Sequence, residues 1–395
     1  MSCINLFFLS LWACSGASNK ETATPDTAPV SEPGDANQPS SEPDMPPDTG
    51  EEPGPPRLLS IEVNARSGAD AAAFFDVEVP EGVNSMQLDL IATRYLQLQY
   101  ILNPDGLIVF DYLDWTMTDE RLLNAAIPFF NVASIPWPPR MSDPQIEPGL
   151  WTYVVTTIAA GGVPEPYKDV SGRLTMKRDD DLNAGRVKVL AGRAIGVSDN
   201  PAYDAAINGL LSHLESTYAE WGITLDIREE EIPINAELPN HLPTSSTLIS
   251  AMTYREDNEI FLVFGNTNGV DGQRAHVRTS PCPLMSTYLS VITMSWETAV
   301  GPDGQLDTEE LDLWKSDLVQ AVGHFMGLNH VIDVSSSTLD ALSDTPACES
   351  LEECETLAGD NVMFPYPVCS SDGCINRDQL TAQQREQLHL YVGTE

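Results

Sequence analysis

The chain has 395 residues and a formal net charge of −39, from 59 acidic side chains against 20 Lys and Arg. Such acidity argues against a nucleic-acid partner, because phosphate binding needs basic surface that displaces counterions. Its 42% share of hydrophobic residues is enough for cores of ordinary size, and the length leaves room for two domains and a tether.

Ile4 to Ala13 form an apolar run too short to span a bilayer, which predicts an export signal over residues 1–14. Leu11-Trp12-Ala13-Cys14 resembles a bacterial lipobox. That resemblance implies lipidation of Cys14 and a protein either lipid-anchored in a bacterial envelope or secreted. From residue 15 to 57 the composition changes: ten prolines fall between Pro25 and Pro56, among Ser, Thr, Asp and Glu. Such a stretch cannot make a core and predicts an extended, disordered spacer.

Residues 58–178 read as an antiparallel β-sandwich. Short apolar runs (Phe74 to Val79, Met86 to Ala92, Leu96 to Leu102, Leu107 to Phe110, Trp151 to Thr157) alternate with turn signals such as Pro80-Glu81-Gly82 and Asn103-Pro104-Asp105-Gly106. No His, Cys or paired-carboxylate constellation marks this half as catalytic. Asp179-Asp180-Asp181 reads as a charged linker rather than a calcium loop.

From residue 185 to 395 the pattern is α/β. Arg186 to Leu190, Ile223 to Ile227 and Glu259 to Phe264 read as strands, and Ala202 to Trp221 as an amphipathic helix. Met285 to Met294 is expected to supply an edge strand over a cleft. Asp307 with Glu310 predicts a capping box that starts a helix running toward Gly327.

That helix carries the chain's most informative stretch, Gln320-Ala321-Val322-Gly323-His324-Phe325-Met326-Gly327-Leu328-Asn329-His330. It resembles the zinc helix of the metzincin metallopeptidases, HExxHxxGxxH. His324, Gly327 and His330 match. Gln320 stands where the first histidine belongs, and Ala321 where the water-activating glutamate belongs. Downstream, Asp344-Thr345-Pro346, Cys348, Asn361-Val362-Met363 and Leu380-Thr381-Ala382-Gln383-Gln384 follow an order similar to the pappalysin-like branch, with Met363 as the Met-turn methionine. The resemblance implies a metal site of His324 and His330, with Gln320 a weak third donor, and zinc bound weakly or not at all.

Residues four apart on a helix share a face, so positions 320 and 324 can address one ion while 321 leans over the adjacent space. Alanine cannot take a proton from water. Loss of the base alone removes roughly 10² to 10⁴ in rate. Catalytic residues are therefore expected to be absent, leaving a cleft that holds a peptide or protein. The alternative is an active zinc endopeptidase with a non-standard ligand set; a purely structural envelope protein is a third reading.

His213, His241, His276 and His389 read as structural or solvated, with His276 the one that could replace the missing ligand. In an exported protein, Cys348 with Cys354 and Cys369 with Cys374 are candidate disulfides around the Met-turn, with Cys282 the candidate free thiol. Spacing alone leaves the connectivity open.

Overall fold

Period-two burial builds the first half of the molecule. Over Ala72–Val79, Ala73, Phe75, Val77 and Val79 are buried while Phe74, Asp76 and Glu78 face solvent, as in a strand with one face on a core. The computed structural model describes residues 57–113, 131–179, 182–238, 246–267, 272–301, 303–332, 340, 342–348, 350–371 and 373–394. The expected leader with Cys14, the tether up to residue 56, Asp180, Asp181 and His241 lie outside these residues.

The first half contributes β1 (Leu58–Arg66), β2 (Ala72–Val79), β3 (Val83–Ala92), β4 (Tyr95–Leu102), β5 (Ile108–Asp111), β6 (Val132–Trp137), β7 (Gly149–Ile158) and β8 (Asp169–Arg178). They pair as two four-stranded antiparallel sheets, ordered β1-β8-β3-β6 and β2-β7-β4-β5. Leu88 and Leu174 from one sheet share a core with Phe75, Leu98 and Trp151 from the other, which makes a sandwich. The apolar runs picked from the sequence became β2, β3, β4, β5 and β7. Strands β1, β6 and β8 lie outside those runs; β8 reads as polar, yet its Lys177 side chain is 1% exposed and donates to the His389 carbonyl at 2.8 Å.

Strand β3 is buried on both faces. Met86, Leu88 and Leu90 point into the sandwich core. Gln87 and Asp89, each 1% exposed, face the second half of the chain, and both halves belong to one compact unit.

The second half contains β9 (Gly185–Ile195), α1 (Pro201–Glu220), β10 (Ile223–Asn235), α2 (Ser246–Ala251), β11 (Ile260–Gly265), β12 (Ala275–Val277) and β13 (Ile292–Ser295). It continues through α3 (Trp296–Ala299), α4 (Thr308–Phe325), α5 (Leu351–Ala358), the short pair β14 (Cys369–Ser370) and β15 (Gly373–Cys374), and α6 (Ala382–Leu390). Strands run in the order β10-β9-β11-β13-β12, parallel except for β12, which is antiparallel to β13. Every residue of β11 is buried, as expected of a parallel strand covered on both sides.

Helix α1 starts at an Asn200 cap whose side chain accepts from Ala202 and Tyr203, with Pro201 in the first turn. Its Tyr203, Ile207, Leu210, Leu214 and Tyr218 are buried. Helix α4 starts at the expected capping box of Asp307 and Glu310. No helix among the described residues is long and apolar enough to cross a membrane.

The expected edge strand over Met285 to Met294 is corrected. Only Ile292–Ser295 is a strand, and it is interior; the edge is β12. Residues before it are apolar for another reason: Tyr288 and Leu289 pack with Val132 of the sandwich.

Candidate functional site

A cleft of about 320 Å³ lies between edge strand β12 and helix α4 and is lined by Arg274, His276, Asp317, Gln320, Ala321, His324 and His330, among others. Helix α4 places Asp317, Gln320, Ala321 and His324 on one side by their three- and four-residue spacing. The helix ends at Phe325, and Gly327 takes a φ of 108° that L side chains rarely adopt. The chain thereby reverses and brings His330 back to His324.

The two imidazoles converge. His324 Nε2 and His330 Nε2 are 3.0 Å apart, with ring centroids 4.5 Å apart and planes at 78°. His324 Nδ1 lies 2.8 Å from the Leu328 carbonyl. A carbonyl only accepts, so Nδ1 carries the hydrogen and Nε2 of the neutral ring is bare. Burial and the neighbouring His330 push the His324 pKa down to about 3. Two bare nitrogens at this distance would repel, so the contact is a hydrogen bond in which His330 Nε2–H donates to the bare His324 Nε2. A ring nitrogen facing an ion while the other N–H is fixed by a carbonyl is the usual arrangement of metal-ligating histidine.

The third position is different. Gln320 Nε2 donates to the Phe364 carbonyl at 2.6 Å, so its amide nitrogen is engaged with the backbone beside Met363. Ala321 is 4% exposed and contributes only a methyl group. The carboxylate that does line the cleft, Asp317, is bound by two guanidinium groups. Arg274 meets it at 3.2 Å and Arg377 at 2.5 Å, and Arg377 also donates to the Phe364 carbonyl at 3.0 Å.

His276 sits on β12 in the same cleft, its Nδ1 2.8 Å from Gln273 Oε1, and burial with Arg278 nearby lowers its pKa to about 4. Among the described residues no group of three His, Cys, Asp or Glu is arranged to hold a metal ion. Two tetrahedral ligands at about 2.0–2.1 Å from zinc stand roughly 3.3 Å apart, so His324 and His330 suit one ion, but the full set does not fit a resident catalytic zinc. A neutral amide is a weaker donor than imidazole to this ion.

The separated downstream segments meet beneath the helix. Met363 is fully buried, and a Cβ added at Gly323 would lie 2.9 Å from its sulfur, so the helix rests on the methionine. Asn361 ties the segment around Met363 to α6 through Gln384 at 2.8 Å. Asp344 accepts from the Gln383 N–H at 2.8 Å. Cys348 is bonded to Cys354 and Cys369 to Cys374, and Cys282 is free and buried.

Of the remaining histidines, His213 lines a separate cleft of about 530 Å³ with Glu309 and Lys315, while His389 is buried against the Trp221 carbonyl at 2.9 Å. Arg274, Arg377 and Asp317 carry no signal in the motif itself. Asp317 was findable, since it lies one helical turn before Gln320; the two arginines come from distant segments and left no local signal.

The sequence matches no family model and no curated protein. Among solved structures the chain is similar to archaemetzincin from Methanopyrus kandleri, at 15% identity over 40% of this chain and 82% of that one, with a TM-score of 0.26. It is also similar to metalloproteinase-II from Bacteroides fragilis, at 9% identity over 46% of this chain and 60% of that one, with a TM-score of 0.24. A family two carbohydrate esterase from Clostridium thermocellum follows, at 7% identity over 52% and 61% of the two chains and a TM-score of 0.15.

Proposed function

We propose that this is a pseudopeptidase: an exported protein, held at a membrane by a lipid on Cys14, whose metzincin-like cleft binds an extended peptide segment without hydrolysing it. One observation carries the reading. The position beside the two histidines that would need a free carboxylate holds the Ala321 methyl, and the nearby Asp317 is tied to Arg274 and Arg377. A carboxylate whose oxygens are both bonded to guanidinium groups is not free to take a proton from water.

The binding surface is the open side of β12. Ser295 N–H donates to the Arg274 carbonyl at 2.9 Å, so antiparallel alternation turns the N–H and C=O groups of Ala275 and Val277 to the free edge. Those groups can hold a peptide as an added strand. The paired cysteines are compatible with an oxidising, exported setting.

The test pairs metal analysis of the purified protein with a peptide-library assay read for both binding and cleavage. Retention of peptides without cleavage, with zinc well below one per chain, is the expected outcome. Stoichiometric zinc with chelator-sensitive cleavage sinks the proposal. One observation favours the second reading, an active endopeptidase with an unusual ligand set: His276 faces the same cleft. In that case His276→Ala would abolish both zinc and cleavage. Loss of radiolabelled lipid in Cys14→Ser tests the anchor separately.

A further inference from the structure

The segment from Ser280 to Met285 lies between the sandwich and the end of α4, and both contacts are built from buried polar groups. On the sandwich side, Asp89 Oδ2 accepts the backbone N–H groups of Leu284 at 2.6 Å and Met285 at 3.1 Å. Asp89 Oδ1 accepts from Gln87 Nε2 at 3.0 Å. The same Gln87 nitrogen and Ser134 Oγ donate to the Cys282 carbonyl, at 3.1 and 3.4 Å. On the other side, Cys282 N–H donates to the Phe325 carbonyl at 3.0 Å, and Ser280 Oγ donates to the Leu328 carbonyl at 2.9 Å. That Leu328 carbonyl is the acceptor that fixes His324 Nδ1–H.

We propose that Asp89 is a remote positioning residue of the histidine cleft: by anchoring the Ser280–Met285 segment to the sandwich it holds the Leu328 carbonyl that sets the orientation and tautomer of His324. The sandwich is then part of the cleft rather than an independent companion.

Two physical arguments support this chain of contacts. Asp89, Gln87 and Cys282 are each at most 1% exposed and Ser280 is 7% exposed, so water does not replace a lost partner cheaply, and a freed N–H drives the segment to move. Packed interiors transmit such a shift rather than absorb it. His276 provides an internal contrast: it shares the cleft and lies four residues before Ser280, but it is held on β12 by pairing with Thr293 and makes no contact with the Leu328 carbonyl that fixes His324. The proposal is independent of what the cleft binds.

The experiment is NMR of the histidine ring nitrogens in the full chain labelled with ¹⁵N-histidine, comparing wild type with Asp89→Ala, Asp89→Asn and Ser280→Ala. The expected result is that both His324 ring resonances move toward the averaged position of a ring exchanging tautomers in Asp89→Ala and Ser280→Ala. The shift should be smaller in Asp89→Asn, which keeps an acceptor for the two N–H groups, and His276 should stay unmoved in all three. The two alanine effects combined should be less than additive. Unmoved His324 signals in a folded Asp89→Ala, or equal movement of all three cleft histidines, overturn the proposal. If Asp89→Ala does not fold, Asp89→Asn decides: His324 at its wild-type position there, with Ser280→Ala displaced, breaks the link to the sandwich.

Discussion

Gln320 donates its side-chain N–H to the carbonyl of Phe364, 2.6 Å away. The Gln320 amide nitrogen therefore joins α4 to the chain at Phe364, next to the buried Met363.

Replacing Gln320→His and Ala321→Glu together should restore the missing donor and the missing base. The expected gain in zinc affinity is at least about 10-fold, the scale on which ligand surroundings alone act. A competition titration with a chromophoric chelator measures it. Unchanged affinity would mean that the Gln320–Phe364 link is not what keeps the third position away from His324 and His330.

Arg377 is 2% exposed and bonds both Asp317 and the Phe364 carbonyl. Arg377→Leu removes a buried ion pair partner and leaves Asp317 with Arg274, so a loss of about 3 kcal/mol in denaturant unfolding is expected. A loss within experimental error would show that water reaches Asp317 freely.

Two glycines separate local from imposed conformation. Gly327 holds φ 108° with Pro281 Cβ 3.7 Å from an added Cβ, so space is adequate and the backbone is the obstacle; Gly327→Ala should destabilise by about 1–2 kcal/mol. Gly209 lies within α1 with nothing within 4 Å of an added Cβ, and Gly209→Ala should stabilise by about 0.5–1 kcal/mol. Thermal melts of the two variants should move in opposite directions.

Burial pushes the Asp89 carboxyl up from 3.8 to about 6, against hydrogen bonds led by Gln87 and Met285. Arg255 faces Asp89 from the second half and favours its charged form; Cys282 and Tyr391 lie in the same region. Between those values the native chain holds a proton that the unfolded chain has released, so this contribution is complete below about pH 4 and falls as pH rises through about 6. The difference is on the order of 3 kcal/mol. The denaturant-derived stability of wild type relative to Asp89→Asn should fall by that amount across the window, while His324 and His276, neutral in the native chain where the unfolded imidazoles are protonated, make total stability rise with pH in both proteins. Asp340, whose carboxyl burial also pushes up to about 6, contributes alike to both. A difference between the two proteins that stays constant with pH would rule out Asp89 as its source.

Several features were readable from the chain because they depend on neighbours in sequence. Apolar runs between turn signals located β2 and β7, and the Asp307 and Glu310 pair located the start of α4. The spacing of His324, Gly327 and His330 dictated that one helix and one turn would bring two imidazoles together. The expected edge strand failed for a long-range reason: residues 285–291 are apolar because Tyr288 and Leu289 cover the sandwich near Val132, not because they extend the sheet.

What the sequence determined by itself was the helix, its cap, the reversing glycine and the absence of a base at position 321, since each is a property of residues within a few positions of one another. What only the tertiary structure decided was the state of the groups around them. Arg274 and Arg377 close on Asp317, the Phe364 carbonyl takes Gln320, and Asp89 reaches Leu284 from the other half of the molecule. Those partners are tens to hundreds of residues apart, and hydrogen bonding and desolvation act on distance in space, which no local pattern encodes.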